Sequence, residues 1–238
     1  MEIFLFFIII FVASVLQAST GFGFSILATP FLLLLFQPAE AIQINLILSL
    51  FISLSLMGRV SKDIDKGILK RLVLGSTLGL PIGMIIFLFI DIEWLKIAIG
   101  LMVLVLTILM MLQFRLHQTS GRDLGVGSMS GALTTSIGMP GPPLLLYFSG
   151  TDTEKKKLRG TTLAFYLFIY VISLLIQMIF AGTTKTVWIS SGAAIPIAIL
   201  GIFAGQILFK WVSQRVFQIF TYIILLFTGL YLLVESLW

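Results

Sequence analysis

Apolar residues occur along the chain in long blocks, and ionisable residues fall between the blocks. A membrane-spanning helix needs about 20 mostly apolar residues, and most of the blocks have this length. The pattern therefore predicts an all-α integral membrane protein. The eight blocks cover residues 3–36, 41–57, 72–90, 95–114, 124–150, 160–182, 187–209 and 216–234.

Two of the blocks are interrupted. Block 3–36 is too long for one span and contains polar residues and glycines from Gln17 to Phe24, whereas block 124–150 is broken between Thr134 and Pro143 by three prolines and two glycines. Proline and glycine end helices, and broken backbone is stable in a bilayer only where protein or a water-filled cavity satisfies it. We predict a re-entrant or broken helical hairpin in each block. For residues 3–36, one span followed by a half-helix remains an alternative.

The two halves of the chain resemble each other. Matched positions occur in the same order with offsets of 115 to 122 residues, and the pairs are Gly23 with Gly138, Asn45 with Thr162, Gly79 with Gly201, and Gly83 with Gly205. This order predicts an internal duplication of residues 1–116 and 117–238, each unit a hairpin followed by three spans. An odd number of spans gives the two units opposite orientations, which is an inverted repeat. The glycines of the last two pairs are interpreted as close helix packing.

The basic residues indicate the sidedness of the chain. If every block were a single span, the 15 Lys and Arg residues would divide eight to seven between the two sides. If block 124–150 is a hairpin, they divide thirteen to two. Basic loops of membrane proteins lie in the cytoplasm. We therefore predict that this hairpin enters from the cytoplasm and that the C-terminus, with the N-terminus, lies outside a cell membrane.

Composition excludes several classes of protein. Hydrophobic residues make up 59% of the chain and charged residues 11%, against about 25% charged in soluble domains, which argues against a soluble enzyme or a nucleic-acid-binding protein. Cysteine is absent and histidine occurs once, so no metal site or other cofactor is expected. Because the ionisable residues fall in the connections, we predict an uncharged interior and no catalytic activity.

An uncharged interior leaves neutral groups to bind a substrate. The N-terminus of a half-helix offers unpaired N–H groups and a partial positive charge, which suit an anion. Glycines at the breaks allow close approach to the backbone, and hydroxyls and amides add donors. For Asn45, Thr162 and Tyr166, a hydrogen bond between helices is the competing interpretation, and for Gln17 it is capping of the broken backbone. The candidate substrate-binding residues are Gln17, Ser19, Thr20, Gly21, Gly23, Asn45, Thr134, Thr135, Ser136, Gly138, Gly141, Thr162 and Tyr166.

Two motifs resemble those of the sulfite exporter TauE/SafE family of membrane transporters. They are Thr20-Gly-Phe-Gly-Phe24, followed by Pro30, and the run from Gly131 through Gly138-Met-Pro-Gly-Pro-Pro143. The resemblance covers essentially the whole chain. It implies a transporter, and more specifically an exporter, of small sulfur-containing anions such as sulfite or organosulfonates.

These observations predict a secondary transporter that works by alternating access, with its site near the membrane midplane between the two hairpin breaks. An anion channel-like pore and a non-transporting scaffold or auxiliary subunit are the alternatives. The expected partners are the lipid bilayer and a small anion, without nucleic acid. The oligomeric state is left open.

Overall fold

A computed structural model describes residues 2–112, 117–151, 153–211 and 214–237, and within these ranges the chain is helical and contains no strand. A short 3-10 helix occupies Ser61–Asp63. The α-helices are α1 (Glu2–Thr20), α2 (Phe24–Leu35), α3 (Pro38–Val60), α4 (Lys66–Phe89), α5 (Ile92–Met111), α6 (Ser120–Ile137), α7 (Gly141–Gly150), α8 (Lys155–Ala181), α9 (Lys185–Trp211) and α10 (Gln214–Leu237).

The uninterrupted blocks coincide with single helices. Each of α3, α4, α5, α8, α9 and α10 covers one block and begins or ends a few residues from the predicted boundary. Residues 113 and 114, at the end of block 95–114, lie outside the described residues. Of the described helices, five (α1, α3, α4, α8 and α9) are long and apolar enough to cross a membrane. The prediction of an all-α, multi-pass membrane architecture is confirmed at this level.

Each interrupted block folds back on itself. The first break is confined to residues 21–23, and the aromatic rings of Phe6 in α1 and Phe36 after α2 lie 5.5 Å apart between centroids. The second break covers residues 138–140, and the hydroxyl of Tyr147 in α7 donates to the carboxylate of Asp123 in α6. Contacts between the two ends of a block require a reversal of the chain. The helices of each interrupted block therefore fold back on each other, and we call each pair a hairpin.

Glycines allow the longest helices to pack closely. Helix α9 lies on α1, where a Cβ at Gly201 would fall 2.5 Å from the Cβ of Ser14 and one at Gly205 would fall 2.5 Å from the Val15 carbonyl. Gly79 and Gly83 meet the backbone of α6 in the same way. Both contacts leave no space for a side chain. The interpretation of these four glycines as packing residues is confirmed.

Helices α3 and α8 pack together at the centre and run antiparallel. At one end, Gln43 Nε2 donates to the carbonyl of Gly182 over 2.7 Å, and Thr184 Oγ1 donates to Glu40 over 2.7 Å. At the other end, Lys157 Nζ lies 2.6 Å from a carboxylate oxygen of Asp65.

The connection at this second end is held by Asp65. Its carboxylate also accepts a hydrogen bond from the Ile68 N–H at the start of α4, over 3.0 Å. The hydrogen bond from Lys157, followed by that from Ile68, lowers the pKa of Asp65 below its ordinary value. Asp65 thus caps α4 while tying it to the start of α8.

The hairpins open at opposite ends of this central pair. The open end of α1–α2 lies beside the start of α3, because only Gln37 separates Phe36 from Pro38. The open end of α6–α7 lies beside the start of α4, where Arg71 Nε donates to Asp123 over 2.5 Å. The tip of each hairpin therefore points toward the end of the α3–α8 pair at which the other hairpin opens.

The prediction that ionisable residues are confined to the connections is wrong at three buried positions. Asp123 lies in α6 and has no exposed surface, Arg159 lies in α8 with 7% of its surface exposed, and Lys96 lies in α5 with 8% exposed. Asp123 and Arg159 stand just outside a predicted block and the helix extends past the block to include them, whereas Lys96 lies within block 95–114. The protein interior is therefore not free of charge.

Candidate functional site

The central helices each carry a stripe of polar residues. Asn45, Ser49 and Ser53 follow one another at four-residue spacing on α3, and Thr162, Tyr166 and Tyr170 do so on α8. Residues four apart lie on one face of a helix. All six are at most 1% exposed. They are surrounded by polar groups as well as by apolar side chains. The offset of 117 that pairs Asn45 with Thr162 pairs the other members too.

The stripe on α3 holds both hairpins. Gln17 Nε2, near the tip of the first hairpin, donates to the carbonyl of Ser49 over 3.0 Å and to the hydroxyl of Ser53 over 2.9 Å. Asn45 Nδ2 donates to the carbonyl of Gly138, at the tip of the second hairpin, over 2.7 Å. The side-chain oxygens of Gln17 and Asn45 have no hydrogen-bond partner. Both residues fix a hairpin tip and retain one free acceptor.

The stripe on α8 lies between the first turns of α2 and α7. A Cβ at Gly141, the first residue of α7, would fall 3.2 Å from the Tyr166 hydroxyl and 2.9 Å from the side chain of Ile26 in α2. The Tyr170 hydroxyl lies near the hydroxyls of Ser25 and Ser49, and the rings of Tyr166 and Tyr170 are 4.9 Å apart between centroids. The starts of the two half-helices and the two tyrosines thus meet near the middle of α3 and α8.

Hydroxyls in this region lack hydrogen-bond partners. The buried oxygens concerned belong to Ser25, Ser49, Thr162, Tyr166 and Tyr170. Tyr170 is close enough to the two serines to interact, but no pair among these atoms has normal hydrogen-bond geometry. Buried polar groups are nearly always paired, and an unpaired one costs about 1–3 kcal/mol. A polar ligand or water between the half-helices would satisfy them, so this region is the candidate substrate site.

The two half-helices differ at their N-termini. The first intrahelical bond of α2 runs from Leu27 N–H to the carbonyl of Gly23, which leaves the N–H groups of Phe24, Ser25 and Ile26 without a helical partner. In α7 the corresponding positions are Gly141, Pro142 and Pro143, and proline has no N–H. The expectation that both half-helices offer several backbone donors therefore holds for α2 only.

The remaining predicted hydroxyls are engaged within the hairpins. Ser19 and Thr20 donate to the Leu16 carbonyl over 3.0 and 2.7 Å, and Thr20 Oγ1 also accepts from the Phe22 N–H over 3.1 Å. Thr134 donates to the Ser130 carbonyl over 2.5 Å. These hydrogen bonds satisfy backbone groups at the first break and in the last turn of α6, and each joins residues no more than four positions apart.

The end of α6 is also tied to α8. The Thr135 hydroxyl lies 3.2 Å from that of Ser173, and the Thr135 carbonyl accepts from Gln177 Nε2 over 2.6 Å. Ser136 is buried beside it, 1% exposed. The structure places these residues at the second hairpin tip and not among the unpartnered hydroxyls. A direct role for them in binding stays a prediction.

The glycines at the breaks are held by their surroundings. Gly21, Gly23 and Gly138 have φ angles of 88°, 106° and 76°, in the left-handed region that favours glycine. A Cβ at Gly21 would fall 2.7 Å from the Cα of Arg159. The first hairpin tip therefore rests against the start of α8.

Arg159 was missed as a residue of this region. Its Nη2 donates to the Ala18 carbonyl at the end of α1 over 2.5 Å, and its guanidinium lies 4.3 Å from the ring centroid of Phe209. A cation at a helix C-terminus complements the helix dipole. The offset of 117 pairs Arg159 with Ile42, an aliphatic residue, so the duplication gave no signal of a charge at this position.

The fold and the site define a multi-pass helical membrane protein with two hairpins whose tips lie beside a group of buried, unpartnered hydroxyls. The sequence profile of the family described as sulfite exporter TauE/SafE matches residues 6–232. The chain belongs to this family of membrane transporters. Comparison with curated proteins and comparison with solved structures gave no match.

Proposed function

We propose that the protein is a secondary transporter that exports small sulfur-containing anions, such as sulfite or organosulfonates, across the cell membrane by alternating access. The observation that carries the proposal is the group of buried, unpartnered hydroxyls between the first turns of α2 and α7. Family membership supports an exporter of this substrate class. The substrate occupies this region in the middle of the bundle and supplies the missing hydrogen-bond partners.

An inverted repeat of residues 1–116 and 117–238 provides the two alternating states. Helix α4 packs on α6 as α9 packs on α1, and α5 packs on α10 as α3 packs on α8. In the proposed repeat, α1 corresponds to α6, α3 to α8, α4 to α9 and α5 to α10. Exchanging the two units therefore converts the α4–α6 contact into the α9–α1 contact and leaves the α3–α8 and α5–α10 contacts unchanged. Hairpins that open at opposite ends of the α3–α8 pair agree with opposite orientations of the two units. Movement of one unit against the other opens the site to each side in turn.

The predicted site residues divide into two groups under this proposal. Asn45, Gly141, Thr162 and Tyr166 lie beside the substrate or one turn from it. The other group fixes the hairpin tips around it, and consists of Gln17, Ser19, Thr20, Gly21, Gly23, Thr134, Thr135, Ser136 and Gly138. The charged pair Arg71–Asp123 and Arg159 lie at the hairpin ends rather than among the unpartnered hydroxyls.

The experiment is a flux measurement on purified protein in liposomes. Vesicles loaded with radiolabelled sulfite should release it in a saturable manner, and unlabelled sulfite or a sulfonate outside should accelerate the release by exchange. Saturation with exchange identifies a carrier, because an open pore gives flux without exchange. Flux that does not saturate would indicate a channel-like pore. Absence of flux for sulfite, sulfonates and thiosulfate would leave only a scaffold or auxiliary subunit.

A further inference from the structure

We propose that the site between the half-helices is polarised: the start of α2 binds the oxyanion head of a monoanionic substrate, and the start of α7 takes its apolar end. The inference rests on the proposed function and adds the orientation and charge of the ligand. The two half-helices, α2 and α7, occupy equivalent positions in the two proposed repeats. Their first turns differ in the number of hydrogen-bond donors.

The α2 end supplies the donors. Its first turn presents the N–H groups of Phe24, Ser25 and Ile26 and the positive end of a twelve-residue helix. The hydroxyls of Ser25, Ser49 and Tyr170 converge at this turn, are at most 1% exposed and have no hydrogen-bond partner. Three backbone donors and three hydroxyls match the three oxygens of a sulfonate or hydrogensulfite head. Oxyanions bind at helix N-termini for this reason.

The α7 end is poor in donors. Pro142 and Pro143 remove two of the three N–H groups of its first turn, and Gly141 retains the third. The side chain of Ile26 occupies the space in front of Gly141. The Tyr166 hydroxyl is the unpartnered polar group closest to this turn. An alkyl group or a single protonated oxygen fits this end better than a second charged head.

The neutral character of the donors selects a monoanion. Arg159 comes seven residues before Tyr166, about 10 Å along the α8 axis, and its Nη2 is bonded to the Ala18 carbonyl. The desolvation cost of an ion rises steeply with its charge. Hydrogen bonds and one helix dipole offset a single charge. A dianion such as sulfate therefore binds much more weakly than a sulfonate of similar size.

The test is calorimetric titration of the purified full chain with methanesulfonate, a monoanion with one methyl group, and with sulfate. Methanesulfonate should bind at least about tenfold more tightly than sulfate. Ser25→Ala and Tyr170→Phe should each weaken methanesulfonate binding about 10-fold to 100-fold, because each removes a hydrogen bond to a charged ligand. Ser191→Ala, which deletes another buried and unpartnered hydroxyl on α9, should leave the affinity unchanged.

Tyr166→Phe decides the orientation and should weaken binding less than either α2-end variant. A loss at Tyr166 that equals or exceeds the loss at Ser25 and Tyr170 would overturn the proposal, as would sulfate binding as tightly as methanesulfonate. Failure of methanesulfonate to bind a protein that still transports sulfite would overturn this inference and leave the proposed function intact. Failure of both binding and flux would remove both. The thermal unfolding midpoint of each variant identifies any that does not fold, and the two α2-end variants test the same point independently.

Discussion

At the scale of the residue, Gly138 joins the backbone of the second hairpin to a side chain of the first half of the chain. Its φ of 76° is left-handed, and its carbonyl accepts the Asn45 amide over 2.7 Å. A Cβ at this position would fall 2.6 Å from the same amide nitrogen. Conformation and contact therefore require glycine for separate reasons.

Gly138→Ala should lower the free energy of unfolding by about 1–2 kcal/mol from backbone strain alone, and by more if the Asn45 bond is lost. Chemical unfolding in mixed micelles measures the change. Gly125→Ala is the matched control, because Gly125 lies within α6, the helix that ends just before Gly138, with open space around it, and alanine favours a helix. Equal stability of the two variants would contradict the packing described for Gly138.

Sequence patterns located the breaks but not the full set of site hydroxyls. Glycines and prolines interrupt an apolar block visibly, so the positions of Gly21, Gly23 and Gly138 were predictable. Ser25, Ser49 and Tyr170 were not predicted as site residues, because one serine in a membrane helix usually bonds the preceding turn. Extension of the 117-residue offset along α3 and α8 would have found Ser49 and Tyr170.

At the scale of the element, the second hairpin is closed at its base by a buried carboxylate. Asp123 of α6 accepts from Tyr147 of α7 and from Arg71 of α4. The side chain of Asp123 is fully buried, whereas that of Arg71 is 33% exposed. The three residues connect both arms of the hairpin to a membrane-spanning helix, as the Phe6–Phe36 ring contact connects the arms of the first hairpin.

Arg71→Gln should destabilise the protein by about 3 kcal/mol, because it leaves a buried carboxylate without its cation. Asp123→Asn should cost less, since the partly exposed Arg71 can turn to solvent. The double variant should recover part of the loss, and chemical unfolding of the purified variants provides the comparison. Arg122→Gln, at an exposed position beside Asp123, should change stability by no more than about 0.5 kcal/mol. A greater loss from Asp123→Asn than from Arg71→Gln would refute this account of the pair.

The apolar pattern predicted the long helices well, because a helix that crosses a membrane needs about 20 mostly apolar residues. It could not predict Asp123 and Arg159 as buried residues. Both stand one position outside an apolar block, where a charge is ordinarily a solvated helix end. Their burial depends on α4 and α1 respectively, which are distant in the sequence. Only the tertiary arrangement brings these partners together.

At the scale of the whole molecule, the proposed inverted repeat makes a claim about sidedness. His117 and Lys156 flank the second hairpin and should lie on one side of the membrane, with Thr183 on the other. All three are exposed. From the distribution of basic residues, we expect the first two to lie in the cytoplasm.

The absence of native cysteine permits a direct measurement. Single variants His117→Cys, Lys156→Cys and Thr183→Cys are labelled with a membrane-impermeant maleimide in intact cells and in opened cells. We expect Thr183→Cys to react in intact cells, and the other two only after opening. Reaction of positions 117 and 156 from opposite sides would mean that residues 124–150 cross the membrane and would reject the re-entrant topology.

The neutral donors between α2 and α7 have an electrical consequence. Ser25, Ser49, Tyr166 and Tyr170 carry no formal charge, so under the proposed function the charge that crosses with these groups is that of the bound substrate. An interior-negative membrane potential favours outward movement of a monoanion by a free energy of about 2.3 kcal/mol per 100 mV. Transport by the loaded protein is then electrogenic, whereas the return of the empty site moves little charge. The membrane voltage should therefore set the direction of net flux without a coupled ion.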